Sequence, residues 1–97
     1  MHKLRLPEHL VVLIRDLHPE IKGRILGSLR ALDMEPYTGK RLKDEMEELR
    51  SLKVKRLRIV YRLARQEEIQ IVAIGPREQV YEETYRLIMK EKMGISK

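Results

Sequence analysis

The sequence predicts an α+β domain in which an N-terminal helical hairpin packs on one face of a small antiparallel β-sheet and a C-terminal helix follows. Three observations support this fold class. Apolar residues recur at helical spacing in the first third of the chain, alternate with polar residues in the middle, and return to helical spacing near the end. The length of 97 residues suits a single domain spanning positions 1–97.

The first third has the spacing of two consecutive helices. Leu10, Ile14 and Leu17 follow Pro7, which suits the first turn of a helix. The helix ends at His18 because the residue before Pro19 is disfavoured in the α conformation. A second helix then begins, with an apolar stripe formed by Ile21, Ile25, Leu29 and Leu32.

Two glycines interrupt the second predicted helix. Gly23 and Gly27 lie four residues apart, and each weakens a helix by roughly 1 kcal/mol relative to alanine. We interpret them as the positions that allow the first helix to approach closely in the hairpin. Residues 34–39 then close the second helix and form a loop.

The middle of the chain has the period of strands. Two alternating runs meet near Lys55 and Arg56, which predicts a β-hairpin with one apolar and one basic face. Residues 69–74 form a nearly continuous apolar run, typical of a strand at the centre of a sheet. A short first strand over residues 2–6 is also expected.

The last predicted element is an amphipathic helix over residues 79–92. Its apolar side is formed by Val80, Thr84, Leu87 and Ile88. The resulting order of elements, (β)ααβββα, is expected to cover one sheet face with helices and to leave the other open.

Positive charge is concentrated in one segment. The chain has 21 Lys and Arg residues against 15 Asp and Glu residues, a net charge of +6. Between positions 50 and 65 there is no acidic residue, and the basic ones are Arg50, Lys53, Lys55, Arg56, Arg58, Arg62 and Arg65. A basic patch on the open sheet face favours a polyanionic partner such as nucleic acid. The alternative is a solvated basic face that only aids solubility.

Composition excludes several classes of function. The chain has no cysteine, which excludes disulfides, thiol catalysis and cysteine-ligated zinc. No apolar run approaches the roughly 20 residues of a membrane span, so we expect a cytoplasmic protein with no membrane partner. The three histidines are scattered near the N-terminus, and no His, Asp or Glu cluster has metal-ligand spacing. We therefore expect neither a metal nor a small-molecule cofactor.

Two segments together resemble a known family. Residues 49–61 resemble the hairpin of RelE-type toxins, in which a basic alternating strand leads into a strand that ends in tyrosine. Residues 74–81 resemble the closing motif of the same family, an apolar strand followed by Gly-x-Arg and then a tyrosine, here Gly75, Arg77 and Tyr81. The resemblance covers nearly the whole chain and identifies it as a member of the RelE/ParE superfamily.

The resemblance implies the toxin half of a type II toxin–antitoxin pair. RelE-type toxins cut messenger RNA in the ribosomal A site, so the implied partners are the ribosome, mRNA and a RelB-like cognate antitoxin. By position, Lys53 matches the candidate base, and Arg58 matches the arginine that stabilises the phosphate. Arg77 matches a phosphate contact and candidate proton donor, and Tyr81 matches the tyrosine that positions the nucleotide.

The catalytic set departs from the family in one place. Ser51 stands where RelE has a second lysine, unless a shorter turn aligns Lys53 and Lys55 with the lysine pair; the sequence leaves both registers open. In the first register, Arg50 or Lys55 is a candidate substitute. The wider set of candidate RNA- and phosphate-binding residues is Arg50, Lys55, Arg56 and Arg62.

The chemistry suits these residue types. A guanidinium matches phosphate with two parallel hydrogen bonds. A lysine can serve as a base only where its surroundings favour the neutral amine, and the like charges of Arg58 and Lys55 act in that direction.

Two other functions stay open at this point. One is a ParE-like inhibitor of DNA gyrase without a nuclease site. The other is a non-catalytic module that binds nucleic acid. Individual residues also have structural alternatives: Arg77 as a partner of Glu82, and Tyr81 as an aromatic at the edge of the core.

Overall fold

The computed structural model describes residues 3–94. Eight helices and strands follow one another in this range, and two short 3₁₀ turns lie between them, at Asp44–Met46 and Arg65–Glu67. The elements are β1 (Lys3–Arg5), α1 (Glu8–Arg15), α2 (Pro19–Met34), β2 (Lys40–Arg41), β3 (Leu49–Val54), β4 (Leu57–Ala64), β5 (Glu68–Pro76) and α3 (Arg77–Lys92). The α+β class predicted from the sequence is therefore confirmed.

The strands form one five-stranded mixed sheet in the order β1-β5-β4-β3-β2. The predicted purely antiparallel sheet is wrong in one place, because β1 pairs with β5 in parallel. The parallel pairing arises because the chain crosses the sheet through α1 and α2 before it returns, which a tight turn cannot do. The apolar run of β5, predicted at the centre of the sheet, is an interior strand that pairs with β1 on one side and β4 on the other, while the central strand is β4.

The predicted hairpin is present, with its turn at Lys55 and Arg56. Lys55 adopts a left-handed backbone with φ of 57°, a conformation that glycine or asparagine accommodates better than lysine. The register pairs Lys53 with Arg58 and Ser51 with Val60. The pairing of β4 with β5 shifts by one residue between Val60 and Tyr61, because Val60 pairs with Ala73 and Tyr61 with Ile71, which leaves Val72 as the extra residue on β5.

The first two helices cover one face of the sheet. Their apolar stripes join residues of β3, β4 and β5 in a cluster of buried side chains: Leu10, Ile14, Ile25, Leu29, Leu32, Val54, Ile59, Tyr61, Ile69, Ile71 and Ile74. The interpretation of the two glycines is wrong. A Cβ added at Gly23 or at Gly27 would have no heavy atom within 4 Å, so neither glycine is a point of close approach.

The sequence predicted that the opposite sheet face is open, but this face is partly covered. The last helix packs across it and closes a second, smaller cluster formed by Leu49, Val60, Ala73, Val80 and Ile88. Thr84 is buried in the same helix and its hydroxyl donates to the Val80 carbonyl at 2.7 Å. The prediction was wrong because cations are interspersed with the apolar positions of β3, β4 and β5 on this face. The alternating pattern therefore gave no sign of a second buried cluster.

No helix within residues 3–94 is both long enough and apolar enough to cross a bilayer.

Candidate functional site

A row of cations lies on the sheet face that α3 packs against, near the start of that helix. Lys53 on β3 is the direct cross-strand partner of Arg58 on β4, and Arg58 is in turn opposite Gly75 on β5. Directly opposed residues have Cβ atoms about 5 Å apart. Ser51 and Lys53 share a face because they are two residues apart on one strand, as do Arg58 and Val60. The row therefore lies beside the second core cluster, on the same face as α3.

The start of α3 adds positive potential to this row. Pro76 is the N-cap residue and makes no side-chain cap hydrogen bond, so the first N–H groups of the helix lack a side-chain acceptor. Arg77 is the first helical residue and is exposed. A helix N-terminus attracts anions through these N–H groups and through the helix dipole. The acidic Glu78 in the first turn offsets part of this potential.

The three cations at this end are free of internal partners. Within residues 3–94, the side chains of Lys53, Arg58 and Arg77 take part in no hydrogen bond or ion pair. The alternative pairing of Arg77 with Glu82 does not occur, because Glu82 accepts from Arg86 at 3.0 Å. Lys53 and Arg58 form an opposed like-charge pair, which is destabilising in a sheet by roughly 0.2–1 kcal/mol. An anionic ligand would relieve that repulsion. We name Lys53, Arg58 and Arg77 the cationic row.

Tyr81 lies at the rim of the cationic row, one helical turn after Arg77. Its hydroxyl donates to the Ser51 hydroxyl oxygen at 2.8 Å, and its ring packs against the second core cluster. Ser51 is itself buried. Ser51, which stands where RelE has its second lysine, therefore links β3 to α3 through this hydrogen bond.

Two of the wider set of predicted phosphate-binding residues have partners within the protein. Arg62 binds the carboxylate of Glu91 on α3 with two hydrogen bonds of 3.1 Å each and the amide oxygen of Gln70 at 2.9 Å. Arg50 pairs with Tyr61 across the hairpin and lies on the opposite face, where its guanidinium donates to the Gly39 carbonyl at 2.8 Å. Arg62 shares the face of Arg58 and Arg50 lies on the other face, and both have partners within the protein; the phosphate-binding role of the two stays a prediction.

The remaining two residues of that set lie at the hairpin turn. Lys55 and Arg56 are exposed beyond the end of the cationic row. Lys53 lies in the paired part of β3, whereas Lys55 lies in the turn after it. The two lysines are therefore not neighbours on one face of the strand. Arg50 is likewise excluded as a substitute for the missing lysine by its placement on the other face.

The described part of the chain holds no group of three or more His, Asp or Glu side chains placed to share a metal ion.

Sequence reasoning missed two parts of the site. One is the Ser51–Tyr81 hydrogen bond, for which the signal was present: period-two spacing puts Ser51 on the same face as Lys53. The other is the start of α3, which is uncapped by any side chain and follows directly on β5, the strand that pairs with Arg58. The helix begins at Arg77, two residues earlier than the apolar periodicity indicated.

The fold and the match to a family model place the chain among the small α+β toxins of the RelE/ParE superfamily. Residues 5–81 match the family described as the ParE toxin of the type II toxin–antitoxin system parDE. The chain therefore belongs to the ParE toxin family. The sequence matches none of the curated proteins.

Solved structures of the superfamily share the fold. A double mutant of the E. coli toxin RelE in the free state aligns with a TM-score of 0.73 and 19% identity, over 90% of this chain and 97% of that one. The toxin–antitoxin complex RelBE2 from Mycobacterium tuberculosis gives 0.68 and 22%, over 78% and 98%. The archaeal RelE–RelB complex from Pyrococcus horikoshii gives 0.67 and 17%, over 81% and 98%. At these identities the likeness concerns the fold alone.

Proposed function

We propose that this toxin is a ribosome-dependent mRNA endonuclease that inhibits translation in the cytoplasm. The observation that carries the proposal is the cationic row: Lys53 and Arg58 are opposed on one sheet face beside Arg77 at the uncapped start of α3. None of the three has an internal partner among the described residues. Three unpaired cations in one place suit a phosphate that gains negative charge during cleavage.

The proposed reaction uses the 2′-hydroxyl of the RNA as the nucleophile. In the proposed reaction Lys53 accepts the 2′-hydroxyl proton while the 2′-oxygen attacks the adjacent phosphorus. Arg58 binds the non-bridging oxygens of the pentavalent phosphorane. The bond to the 5′-oxygen breaks, leaving a 2′,3′-cyclic phosphate on one fragment. Arg77 contacts the phosphate and donates a hydrogen bond to the departing 5′-oxygen, which takes its proton from water, since a guanidinium keeps its own below about pH 12.

Tyr81 is proposed to position the nucleotide through its ring. Its hydroxyl is already committed to Ser51, so the part available to RNA is the aromatic face at the rim of the cationic row. Replacing Tyr81 with phenylalanine should therefore lower cleavage less than replacing it with alanine. The difference separates a stacking role from a role of the hydroxyl in proton transfer.

A cognate antitoxin is the proposed regulator. The solved RelBE2 and RelE–RelB structures are complexes of a toxin with its antitoxin. For this chain we expect a RelB-like partner whose acidic and apolar residues lie over the cationic row and the helix grooves. Binding should be salt-sensitive, because the row has no acidic partner among the described residues.

The test is to incubate the protein with translating ribosomes and to map the 5′ ends of the messenger. Arg58→Ala should reduce cleavage by roughly 10²–10³-fold, the usual loss when one transition-state donor is removed. Arg65→Ala is the matched control: Arg65 is an exposed arginine at the other end of β4 with no ion pair among the described residues. The control removes the same charge and should change cleavage by less than about twofold. Equal losses in both variants, or intact messenger with the unmodified protein, would contradict the proposal.

A second candidate is inhibition of DNA gyrase. The match to the ParE toxin family favours it, as does the serine at position 51, which removes one lysine from the RelE-type set. This function predicts intact messenger in the ribosome assay and accumulation of gyrase–DNA complexes with purified gyrase and supercoiled plasmid.

A further inference from the structure

The loop of residues 35–39, which precedes β2, is held by hydrogen bonds to its backbone from side chains. The hydroxyl of the fully buried Tyr61 donates to the Pro36 carbonyl at 2.7 Å and accepts from the Gly39 N–H at 2.8 Å. A Cβ at Gly39 would lie 2.5 Å from that hydroxyl oxygen, so the loop backbone sits directly on the tyrosine. Thr38 closes the loop from inside by donating its hydroxyl to the Glu35 carbonyl at 2.8 Å.

The loop presents one large side chain to solvent. Tyr37 lies between the two backbone groups that Tyr61 holds, and it is 63% exposed. The Arg50 guanidinium lies 5.0 Å from the centre of the Tyr37 ring and donates to the carbonyls of Tyr37 and Gly39. One buried hydroxyl and one guanidinium thus fix an aromatic ring in an exposed position, where it gains little from the hydrophobic effect.

Three cations follow the ring along the chain, and one acidic residue, Glu35, precedes it. Residues 36–43 include Lys40, Arg41 and Lys43 and no acidic residue. Lys40 and Arg41 form the exposed edge strand β2, the continuation of the loop. A fixed aromatic ring next to exposed cations is the combination that binds single-stranded nucleic acid, because any base can stack on the ring while the cations bind its phosphates.

We propose that Tyr37, supported by Arg50 and flanked by Lys40 and Arg41, is a binding site for an unpaired base of single-stranded RNA. The site is separate from the cationic row, since Arg50 and Lys53 lie on opposite faces of β3. It does not depend on the proposed cleavage, and it gives the toxin a second, non-catalytic contact with RNA.

Fluorescence quenching tests the site directly. The chain has no tryptophan, so a Tyr37→Trp variant carries a single reporter at the loop. Titration with a single-stranded oligoadenylate of about ten nucleotides should quench its emission, since stacked bases quench indole and each site of this type spans about 4–16 nucleotides. Inorganic polyphosphate has the charge of RNA without bases and should leave the emission unchanged. Tyr85→Trp is the matched control, at an exposed tyrosine of α3 with no cation over its ring among the described residues.

Affinity measurements complete the test. By anisotropy with the same oligoadenylate, Tyr37→Ala should bind about 5- to 100-fold more weakly, and Tyr37→Phe should bind as the unmodified protein does. Quenching by polyphosphate, equal quenching at positions 37 and 85, or unchanged affinity of Tyr37→Ala would overturn the proposal. So would a loss confined to antitoxin binding, which would make the loop a protein contact.

A double variant separates this proposal from the proposed cleavage. When Arg58→Ala is added to Tyr37→Trp, the indole at position 37 should still be quenched by oligoadenylate, although cleavage is lost. Failure of one proposal is therefore distinguishable from failure of the other.

Discussion

The two faces of the sheet differ in how completely they are covered. On the face of α1 and α2, eleven buried residues form one continuous cluster. On the face of α3, five buried residues form a smaller cluster that stops at Ser51 and Val60. Beyond that row the strands carry Lys53 and Arg58 instead of apolar side chains. The first face has the composition of a core, and the second changes from core to charged surface within one residue pair.

This contrast indicates that the face of α1 and α2 stabilises the fold and that the charged end of the other face destabilises it. Burial of apolar area is the main source of folding free energy, and the face of α1 and α2 supplies most of it. The opposed Lys53–Arg58 pair contributes repulsion instead. Loss of a buried apolar side chain should therefore lower the free energy of unfolding, whereas loss of a cation from the row should raise it.

The largest expected effect compares two fully buried isoleucines, one in each cluster. Ile25→Ala should lower the free energy of unfolding by about 3–4 kcal/mol, because α2 is held in the centre of the larger cluster and cannot collapse into the cavity. Ile88→Ala should cost about 2 kcal/mol, since Ile88 lies near the end of α3 in the smaller cluster. Urea titration of both variants measures the difference. Equal costs would mean that the second cluster stabilises the fold as much as the first.

The next effect concerns the buried tyrosine on the face of α1 and α2. Tyr61→Phe should cost about 1–3 kcal/mol, because it leaves the Pro36 carbonyl and the Gly39 N–H without their partner. Burial raises the pKa of Tyr61 above its ordinary value of 10.0. The native state therefore holds the phenol proton longer than the unfolded chain, so this contribution is complete below about pH 10 and is lost as the pH rises further.

The check is the pH dependence of unfolding between neutral and alkaline conditions. The unmodified protein should lose more stability above about pH 10 than the Tyr61→Phe variant does. Parallel curves for the two proteins would show that the hydroxyl is not the group responsible.

A smaller, stabilising effect is expected on the solvent side of α2. Gly23→Ala should raise the free energy of unfolding by roughly 0.5–1 kcal/mol, the helix propensity gained at a position where a Cβ meets nothing within 4 Å. Gly39→Ala is the opposite control, since its Cβ would clash with the Tyr61 hydroxyl. Thermal unfolding of both variants measures the effect. A destabilised Gly23→Ala would restore the idea of a close helix contact there.

The smallest effect lies on the cationic row. Arg58→Thr should raise the stability by roughly 0.2–1 kcal/mol, because it removes the repulsion from Lys53 and places a β-branched residue in a strand. Urea titration at low and moderate salt measures it, and the gain should shrink as salt screens the pair. A loss of stability would mean that the aliphatic stem of Arg58 contributes more by packing than its charge costs.

Most elements of the fold followed from local patterns. The stripe Ile25, Leu29 and Leu32 predicted α2, and alternation around Lys55 and Arg56 predicted the hairpin, because both periods are properties of neighbouring residues. The parallel pairing of β1 with β5 and the second core under α3 did not follow. Both depend on which segments meet after the chain has crossed the sheet.

The site was predictable to a similar extent. The pairing of Lys53 with Arg58 followed from the hairpin register alone. The pairing of Arg62 with Glu91 did not, because the two residues are 29 positions apart in sequence. The hydrogen bond of Tyr81 with Ser51 and the contact of Arg50 with the Tyr37 ring did not follow from the sequence either, because each joins residues from separate elements.

Local sequence was enough to specify the α+β class, the hairpin and a cationic strand pair, since periodicity and turn position act over a few residues. It was not enough to specify which of the seven cations between positions 50 and 65 stay unpaired. That outcome depends on the side chains and backbone groups that α3 and the loop before β2 bring to the sheet. Long-range packing put them there, and no local pattern encodes it.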